Sequence, residues 1–309
     1  MSTIWVAGAG VVGRRVARFL DERPVQLLDP RHPHSLKEVR SGDVVVVSTG
    51  GRHAGLTTEL VTMGVSVVTV GDDLADCRAL LRLEDQARDN GVALVIGAAL
   101  SPGLSGLIAR SLSDRLRECA EIHIALHGTA GPSCARAHHR SLSGWSPSWF
   151  DGEMRSSPGG AGRELLWFPE PVGPRDCFLA EIGSPLLLHR SLPHVPRISV
   201  RRSARRRDRV TARLPMLKSP HSEGGIGALR VEVRGVDHGG RRASLVHGVA
   251  EQVGTASAAV AATFAEAVSD GELPAGVTLA GDSRVAELRI LARVVARGVR
   301  LQEYSGDLA

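Results

Sequence analysis

Three glycines near the start of the chain, Gly8, Gly10 and Gly13, have the most specific spacing in the sequence. Where a strand leads into a helix, such glycines permit a tight turn, the approach of a diphosphate, and close packing of helix on strand. Amide N–H groups at the helix start then face the anion. The spacing predicts a dinucleotide-binding turn that includes Val11 and Val12; the alternative is a turn without a ligand.

A carboxylate residue lies at the sequence position where a dinucleotide-binding site of this kind contacts the ribose. Asp29 lies 19 residues after Gly10 and closes the next strand-like run. A carboxylate there accepts hydrogen bonds from the ribose hydroxyls and repels a 2′-phosphate, which favours NADH. Arg31, two residues later, would instead bind that phosphate. The sequence therefore predicts an NAD(P)H cofactor and favours NADH without excluding NADPH.

His127 is the candidate for acid–base chemistry. It follows a strand-like run and precedes Gly-Thr-Ala-Gly, so its ring would face a cleft. An imidazole with an ordinary pKa suits proton donation near pH 7. The alternative is a histidine that bonds the loop backbone, as most polar groups do.

A basic segment is the candidate for substrate binding. Eight arginines fall between residues 197 and 213, opposed there only by Asp208. Guanidinium groups bind carboxylates in bidentate fashion, and an extended strand would place alternate arginines on one face. The alternatives are a solvated, ion-paired strand or a nucleic-acid surface, and the lack of aromatic residues in the segment argues against nucleic acid. The predicted contacts to a small anionic substrate are Arg206, Arg209, Arg213 and His221.

The elements that would position these residues alternate between strand and helix over residues 1–118. The strand-like runs are 3–7, 25–28, 43–48, 65–70 and 92–96. Strands that alternate with helices at this spacing predict a parallel sheet covered on both faces. The expected fold class is α/β, a Rossmann-type doubly wound sheet, and Thr49, which follows the third run, is a further predicted cofactor contact.

The pattern changes after Glu118. Apolar and polar residues alternate at 121–126 and within 198–214, and two strand-like runs flank Asp-His-Gly-Gly at 237–240. These patterns predict an antiparallel or mixed sheet. We expect an inserted α+β domain at 119–250 for substrate binding and dimerisation, with an irregular loop at 143–176. Residues 251–309 are expected to be a helical segment that packs back near the first domain.

Three stretches of the sequence carry a family resemblance. They are the glycine motif, Gly-Ala-Ala-Leu-Ser-Pro-Gly-Leu-Ser-Gly-Leu-Ile at 97–108, and the end, with Leu-Pro-Ala-Gly-Val at 273–277 and Arg-Gly-Val at 297–299. In these stretches the chain resembles the saccharopine dehydrogenase-like family. In that family the proline-glycine turn lies near the nicotinamide, so the resemblance implies cofactor contacts from Pro102 and Gly103.

The resemblance also implies a reaction. It is that of an NAD(P)-dependent oxidoreductase, typically the reversible reduction of a C=N bond between an amine and a keto acid or aldehyde. An iminium is already cationic, so this chemistry does not require a dedicated acid. Two alternatives remain, which are reduction of the C=O bond of a semialdehyde and a catalytically silent, dinucleotide-binding regulatory protein.

Composition excludes several classes of protein. Of 309 residues, 43% are hydrophobic and 23% charged, which provides a core and excludes global disorder. No run approaches the roughly 20 apolar residues of a membrane helix. Four cysteines without a C-x-x-C pair, and histidines without metal-ligand spacing, predict neither a metal site nor a disulfide framework. We expect a cytoplasmic homodimer that binds neither membrane nor nucleic acid.

Overall fold

The computed structural model describes residues 2–29 and 35–304. Its strands, in chain order, are β1 (Ile4–Ala7), β2 (Val25–Leu28), β3 (Val44–Val47), β4 (Ser66–Thr69), β5 (Ala93–Val95), β6 (Glu118–His127), β7 (Trp145–Phe150), β8 (Glu153–Pro158), β9 (Glu164–Trp167), β10 (Pro174–Leu179), β11 (Arg197–Ser203), β12 (Ile226–Val236), β13 (Arg242–Gln252), β14 (Gly276–Thr278) and β15 (Leu301–Tyr304).

The α-helices are α1 (Val11–Phe19), α2 (Ala54–Thr62), α3 (Leu74–Leu81), α4 (Glu84–Asp89), α5 (Ser105–Ser113), α6 (Pro132–Ser141), α7 (Ser184–Ser191), α8 (Arg206–Val210), α9 (Val253–Ser269) and α10 (Glu287–Ala296). A 3-10 turn occupies Ser35–Glu38, and a kinked turn occupies Leu100–Leu104. None of the helices in the described ranges is long and apolar enough to cross a membrane.

The first sheet has six parallel strands in the order β14-β5-β4-β3-β1-β2. All four valines of β3 are buried, as expected for a central strand covered by helices on both faces. This confirms the predicted Rossmann-type sheet. The sixth strand, β14, was not predicted, because only three residues pair with β5 and the first of them is a glycine that follows Pro-Ala.

The second sheet is mixed, in the order β15-β13-β12-β6-β11-β10-β9, with β7 beside β11 and β8 beside β7. β6 and β11 are parallel, and the predicted hairpin forms as β12 and β13. The prediction of an irregular loop at 143–176 is wrong, since β7, β8, β9 and part of β10 lie there. These strands are short and largely exposed, so no buried face imposes alternation on their sequence.

The prediction of an extended arginine segment is correct only as far as Ser203. After β11 the chain turns into the short helix α8, so Arg206 and Arg209 are helical and not in a strand. Alternate arginines of this segment therefore do not share one face.

Helix α9 lies between the two sheets and is buried along almost its whole length. Its alanines allow close approach, and it packs against α1, β3, β4 and the turn at 100–104. Ser257 Oγ on α9 accepts a hydrogen bond of 3.2 Å from the backbone N–H of Leu100. One apolar core includes α9 and residues of both sheets, so the two sheets are held against each other. Within the predicted segment 251–309, β14 joins the first sheet and β15 the second.

Candidate functional site

The glycine motif forms the turn between β1 and α1. Gly8 has a φ of +106°, which side chains rarely adopt, and its N–H bonds Leu28 O at 3.1 Å. A Cβ on Gly13 would overlap the carbonyl oxygen of Gly8 and lie 2.6 Å from Ser48 Oγ. A Cβ on Gly10 would meet no heavy atom within 4 Å. Gly8 and Gly13 are thus required by the backbone, whereas Gly10 faces open space.

The turn lies where the strand order of the first sheet reverses. β1 pairs with β2 on one side and β3 on the other, so the crevice opens between the carboxyl ends of β1 and β3. Ser48 Oγ, just after β3, bonds the carbonyl oxygens of Ala7 and Gly8 at 3.0 Å each and fixes the width of the crevice. Ala9 and Gly10 are exposed on one wall, and Gly50 on the other.

The helix start in this crevice has no side-chain cap, which distinguishes it from the neighbouring helix. Gly10 is the residue before α1 and supplies no capping side chain. At the start of α2, by contrast, the Asp76 carboxylate accepts the backbone N–H groups of His53 and Ala54 at 2.9–3.0 Å. An internal anion already occupies the positive end of α2, whereas that of α1 faces the crevice.

The other predicted cofactor contacts lie around this crevice or within the core. Thr49 follows β3, and its carbonyl oxygen bonds His53 Nε2 at 2.9 Å. Asp29 directly follows β2 and is half-buried. Val12 packs on the core, and a Cβ on Gly131 would lie 2.8 Å from Val11 Cγ2, so the loop before α6 contacts the dinucleotide turn. Arg31 lies outside the described residues.

Pro102 and Gly103 are buried in the kinked turn after β5. A Cβ on Gly97 would overlap Pro102 Cγ, and a Cβ on Gly103 would lie 2.9 Å from Val260 Cγ1 of α9. Close packing therefore accounts for the glycines at 97 and 103. Their contact with a nicotinamide stays a prediction.

Side chains of the second domain meet the carboxyl end of β4 at a polar cluster, defined here as Asp72, His127, His138, Arg202 and Ser203. Arg202 Nη2 donates to Asp72 Oδ2 at 2.6 Å, and only 10% of the arginine side chain is exposed. His127 Nδ1 lies 2.7 Å from Ser203 Oγ, and His138 Nε2 lies 3.1 Å from Ser203 O. The cluster joins the two domains next to the dinucleotide crevice.

Both histidines of this cluster are neutral at pH 7. Burial lowers the pKa of His127 to about 4, and Arg175 and Arg205 add to the effect. Burial lowers the pKa of His138 to about 3, with the Arg202 guanidinium as the next largest cause. An imidazole with a pKa near 4 carries almost no proton to donate at pH 7, which is evidence against His127 as a general acid.

These pKa values predict a loss of stability in mild acid. In the unfolded chain His127 and His138 are protonated below about pH 6.5, whereas in the folded chain they are protonated only at about pH 4 or below. The unfolded chain therefore binds more protons in mild acid, and the free energy of unfolding falls as the pH falls. A His138→Gln variant retains an N–H for Ser203 O and should lose less stability between pH 7 and pH 5 in urea titrations. His238→Gln, at an exposed hairpin turn, is the matched control and should behave like the parent.

The predicted substrate arginines are exposed and are not gathered into one site. The guanidinium of Arg209 lies 4.3 Å from the centre of the Phe178 ring, and Arg206 and Arg213 extend from the surface. His221 Nδ1 accepts the N–H of Glu223, whose carboxylate pairs with Arg14 of α1 at 3.0 Å. The loop with His221 therefore lies beside the dinucleotide turn, and all four residues stay predicted substrate contacts.

Sequence reasoning missed Asp72 and Arg202. Asp72 follows a predicted strand in the position where sites of this fold are built, which was an available signal. Arg202 is the last arginine before Ser203 at the end of β11, and nothing in its local sequence separates it from its neighbours. The pair joins residues 130 positions apart and follows only from how the domains meet.

No protein-family model and no curated protein sequence matches the chain. The chain is similar to the solved structure of saccharopine dehydrogenase (L-Glu forming) from Saccharomyces cerevisiae, with a TM-score of 0.70 and 13% identity, over 99% of this chain and 100% of that one. It is similar to a DAP dehydrogenase from C. glutamicum in complex with DAP, with a TM-score of 0.53 and 14% identity, over 96% and 98%.

An engineered D-amino acid dehydrogenase bound to NADP+ is also similar, with a TM-score of 0.51 and 13% identity, over 96% of this chain and 99% of that one. At such identities the likeness shows the fold. The order of the parallel strands and the second, mixed sheet agree with it. The chain therefore has a saccharopine dehydrogenase-like fold.

Proposed function

We propose that this protein is an NAD(P)H-dependent oxidoreductase of saccharopine dehydrogenase type that reduces a C=N bond of a small anionic amino or keto acid. The observation that carries the proposal is the uncapped start of α1, which opens into the crevice at Gly10. A diphosphate is the anion that such a turn binds. The similar structures named for DAP and for NADP+ support both parts of the proposal.

The residues present fit a dinucleotide. Amides from Gly10 to Gly13 would hold the diphosphate, and the Asp29 carboxylate would accept the ribose hydroxyls. The bound nicotinamide would supply the hydride. The protein's part is to orient it and to exclude water, and the loop at Gly131, which contacts Val11, lies in place to cover the site.

The low pKa values in the polar cluster favour C=N over C=O reduction. A carbonyl oxygen gains negative charge as hydride arrives and needs a proton donor, whereas an iminium nitrogen only loses its positive charge. With His127 and His138 neutral at pH 7, the cluster suits the second reaction better. Product analysis with a keto acid, with and without an added amine, separates the two reactions.

The uncapped start of α1 also favours a second candidate, a dinucleotide-binding regulatory protein that catalyses no reaction. Such a protein would bind NADH or NADPH in calorimetry and oxidise no member of a broad panel of amino acids and opines. Saturable cofactor binding together with turnover of any panel member supports the oxidoreductase. Failure of well-folded protein to bind either cofactor contradicts both candidates.

Asp29 tests the cofactor preference. We expect Asp29→Ala to weaken NADH binding about tenfold and NADPH binding less, because the ribose loses a hydrogen-bond acceptor while the repulsion of a 2′-phosphate disappears. Tryptophan fluorescence quenching measures both dissociation constants. Asp21→Ala, an exposed carboxylate of the same domain, is the control. A parent chain that prefers NADPH strongly would contradict the expected preference for NADH.

The state of the protein in the cell is a further part of the proposal. We infer a cytoplasmic homodimer, and the exposed Leu165 and Trp167 on the edge strand β9 provide an apolar surface for a second copy. Light scattering after gel filtration measures the mass. A monomer at micromolar concentration would contradict the dimer.

A further inference from the structure

A cavity of about 140 Å³ lies between α6 and the segment 205–220. Its described lining comes from His139 and from residues 205–220, and includes Arg205, Arg207 and Lys218. A ligand of drug size needs roughly 300 Å³ or more, so this space suits one small group and not a dinucleotide.

The charge around this cavity is unbalanced. Three basic side chains, those of Arg205, Arg207 and Lys218, line it, and Asp208 is the one carboxylate in the described lining. Arg207 Nε is 3.6 Å from Asp208 Oδ1, while Arg205 and Lys218 form no ion pair within the described ranges 2–29 and 35–304. Cations that face one concave surface repel each other and concentrate positive potential there, and a bound anion relieves that repulsion.

Part of the cavity lining is fixed by hydrogen bonds. Thr211 Oγ1 donates to Arg207 O at 3.0 Å, so it accepts from His139 Nε2 at 3.2 Å. His139 is 6% exposed and belongs to α6, which holds its ring in place. The fork of an arginine binds two oxygens of one oxyanion, and a lysine adds a point charge. Both types of donor are present here.

We propose that this cavity binds the carboxylate or phosphate group of a small ligand, at a site whose described lining includes no residue of the glycine turn at 8–13. The proposal goes beyond the oxidoreductase activity and does not depend on it. The proposal assigns only part of the basic segment to the cavity. Arg205 and Arg207 line it, whereas the predicted substrate arginines are outside its described lining, namely Arg206, Arg209 and Arg213.

The lysine content of the chain provides a direct test. Lys37 and Lys218 are the only lysines, and both are exposed, so Lys37 is an internal control for an amine-reactive reagent. The full chain is acetylated at constant ionic strength with increasing inorganic phosphate or malonate, and each lysine is followed by mass spectrometry. We expect either probe to slow acetylation of Lys218 in a saturable way and to leave Lys37 unchanged. The probe that protects at the lower concentration identifies phosphate or carboxylate as the source of the group.

Two variants complete the test. Arg205→Gln removes one cation of the cavity, and we expect it to raise the half-protecting concentration about tenfold. Arg140→Gln removes an exposed arginine of α6 that does not line the cavity, and should leave that concentration unchanged. Melting temperatures check that both variants fold. Equal slowing at both lysines, equal effects of the two variants, or no saturable protection by either probe would overturn the proposal.

Discussion

A Gly10→Ala variant should bind NADH at least about tenfold more weakly than the parent chain and melt at the same or a slightly higher temperature. The added methyl group meets no atom within 4 Å, and the backbone of Gly10, with φ −76°, suits alanine. Alanine at a compatible position stabilises by about 0.4–1 kcal/mol, because the unfolded chain loses freedom. The same methyl group would occupy the space through which the diphosphate approaches the turn.

Two other glycines provide the controls for this experiment. A Gly13→Ala side chain would overlap the carbonyl oxygen of Gly8, so the strand and helix must separate and the melting temperature should fall. Gly55→Ala, in α2, meets no atom within 4 Å and should keep the cofactor affinity, with an equal or slightly higher melting temperature. Calorimetry and thermal denaturation measure the two properties. Unchanged NADH affinity in Gly10→Ala would contradict the proposed position of the diphosphate.

Asp72→Asn should lower the free energy of unfolding by about 3 kcal/mol, because it leaves the buried guanidinium of Arg202 without its counter-charge. Replacing both partners, Asp72→Asn with Arg202→Met, should restore part of that loss, since no unpaired charge remains. Urea titrations at pH 7 measure both variants and the parent chain.

An exposed ion pair supplies the comparison. Glu303 and Arg115 are 3.0 Å apart, with 56% and 48% of their side chains exposed. Glu303→Gln should change the free energy of unfolding by less than about 1 kcal/mol. If Asp72→Asn were equally mild, the Asp72–Arg202 pair would not hold the domains together.

The first sheet could be predicted from the sequence because its strands are buried on both faces. The four consecutive valines of β3, all of them buried, indicate such a strand in the sequence. The strands at 143–176 were not predicted because short, largely exposed strands need no alternation of apolar and polar residues. Helix α8 was not predicted because a run of arginines has neither a helical nor a strand period.

The candidate site also has one part that could be predicted from the sequence and one part that could not. Glycines at 8 and 13 are demanded by the local backbone, so the residue types alone revealed the turn. The Asp72–Arg202 pair and the neutral state of His127 depend on burial where two distant parts of the chain meet. Local spacing contains no information about such contacts, and so neither was predicted.

The sixth strand of the first sheet has a consequence for synthesis of the protein on the ribosome. β5 gains its outer partner only when residues 276–278 emerge, after the strands from β6 to β13 have been made. Until then the nascent chain carries an unpaired edge along β5 and lacks α9, which covers the sheet. The first sheet therefore completes its strand order only after most of the second sheet has been translated, although five of its six strands precede that sheet in the chain.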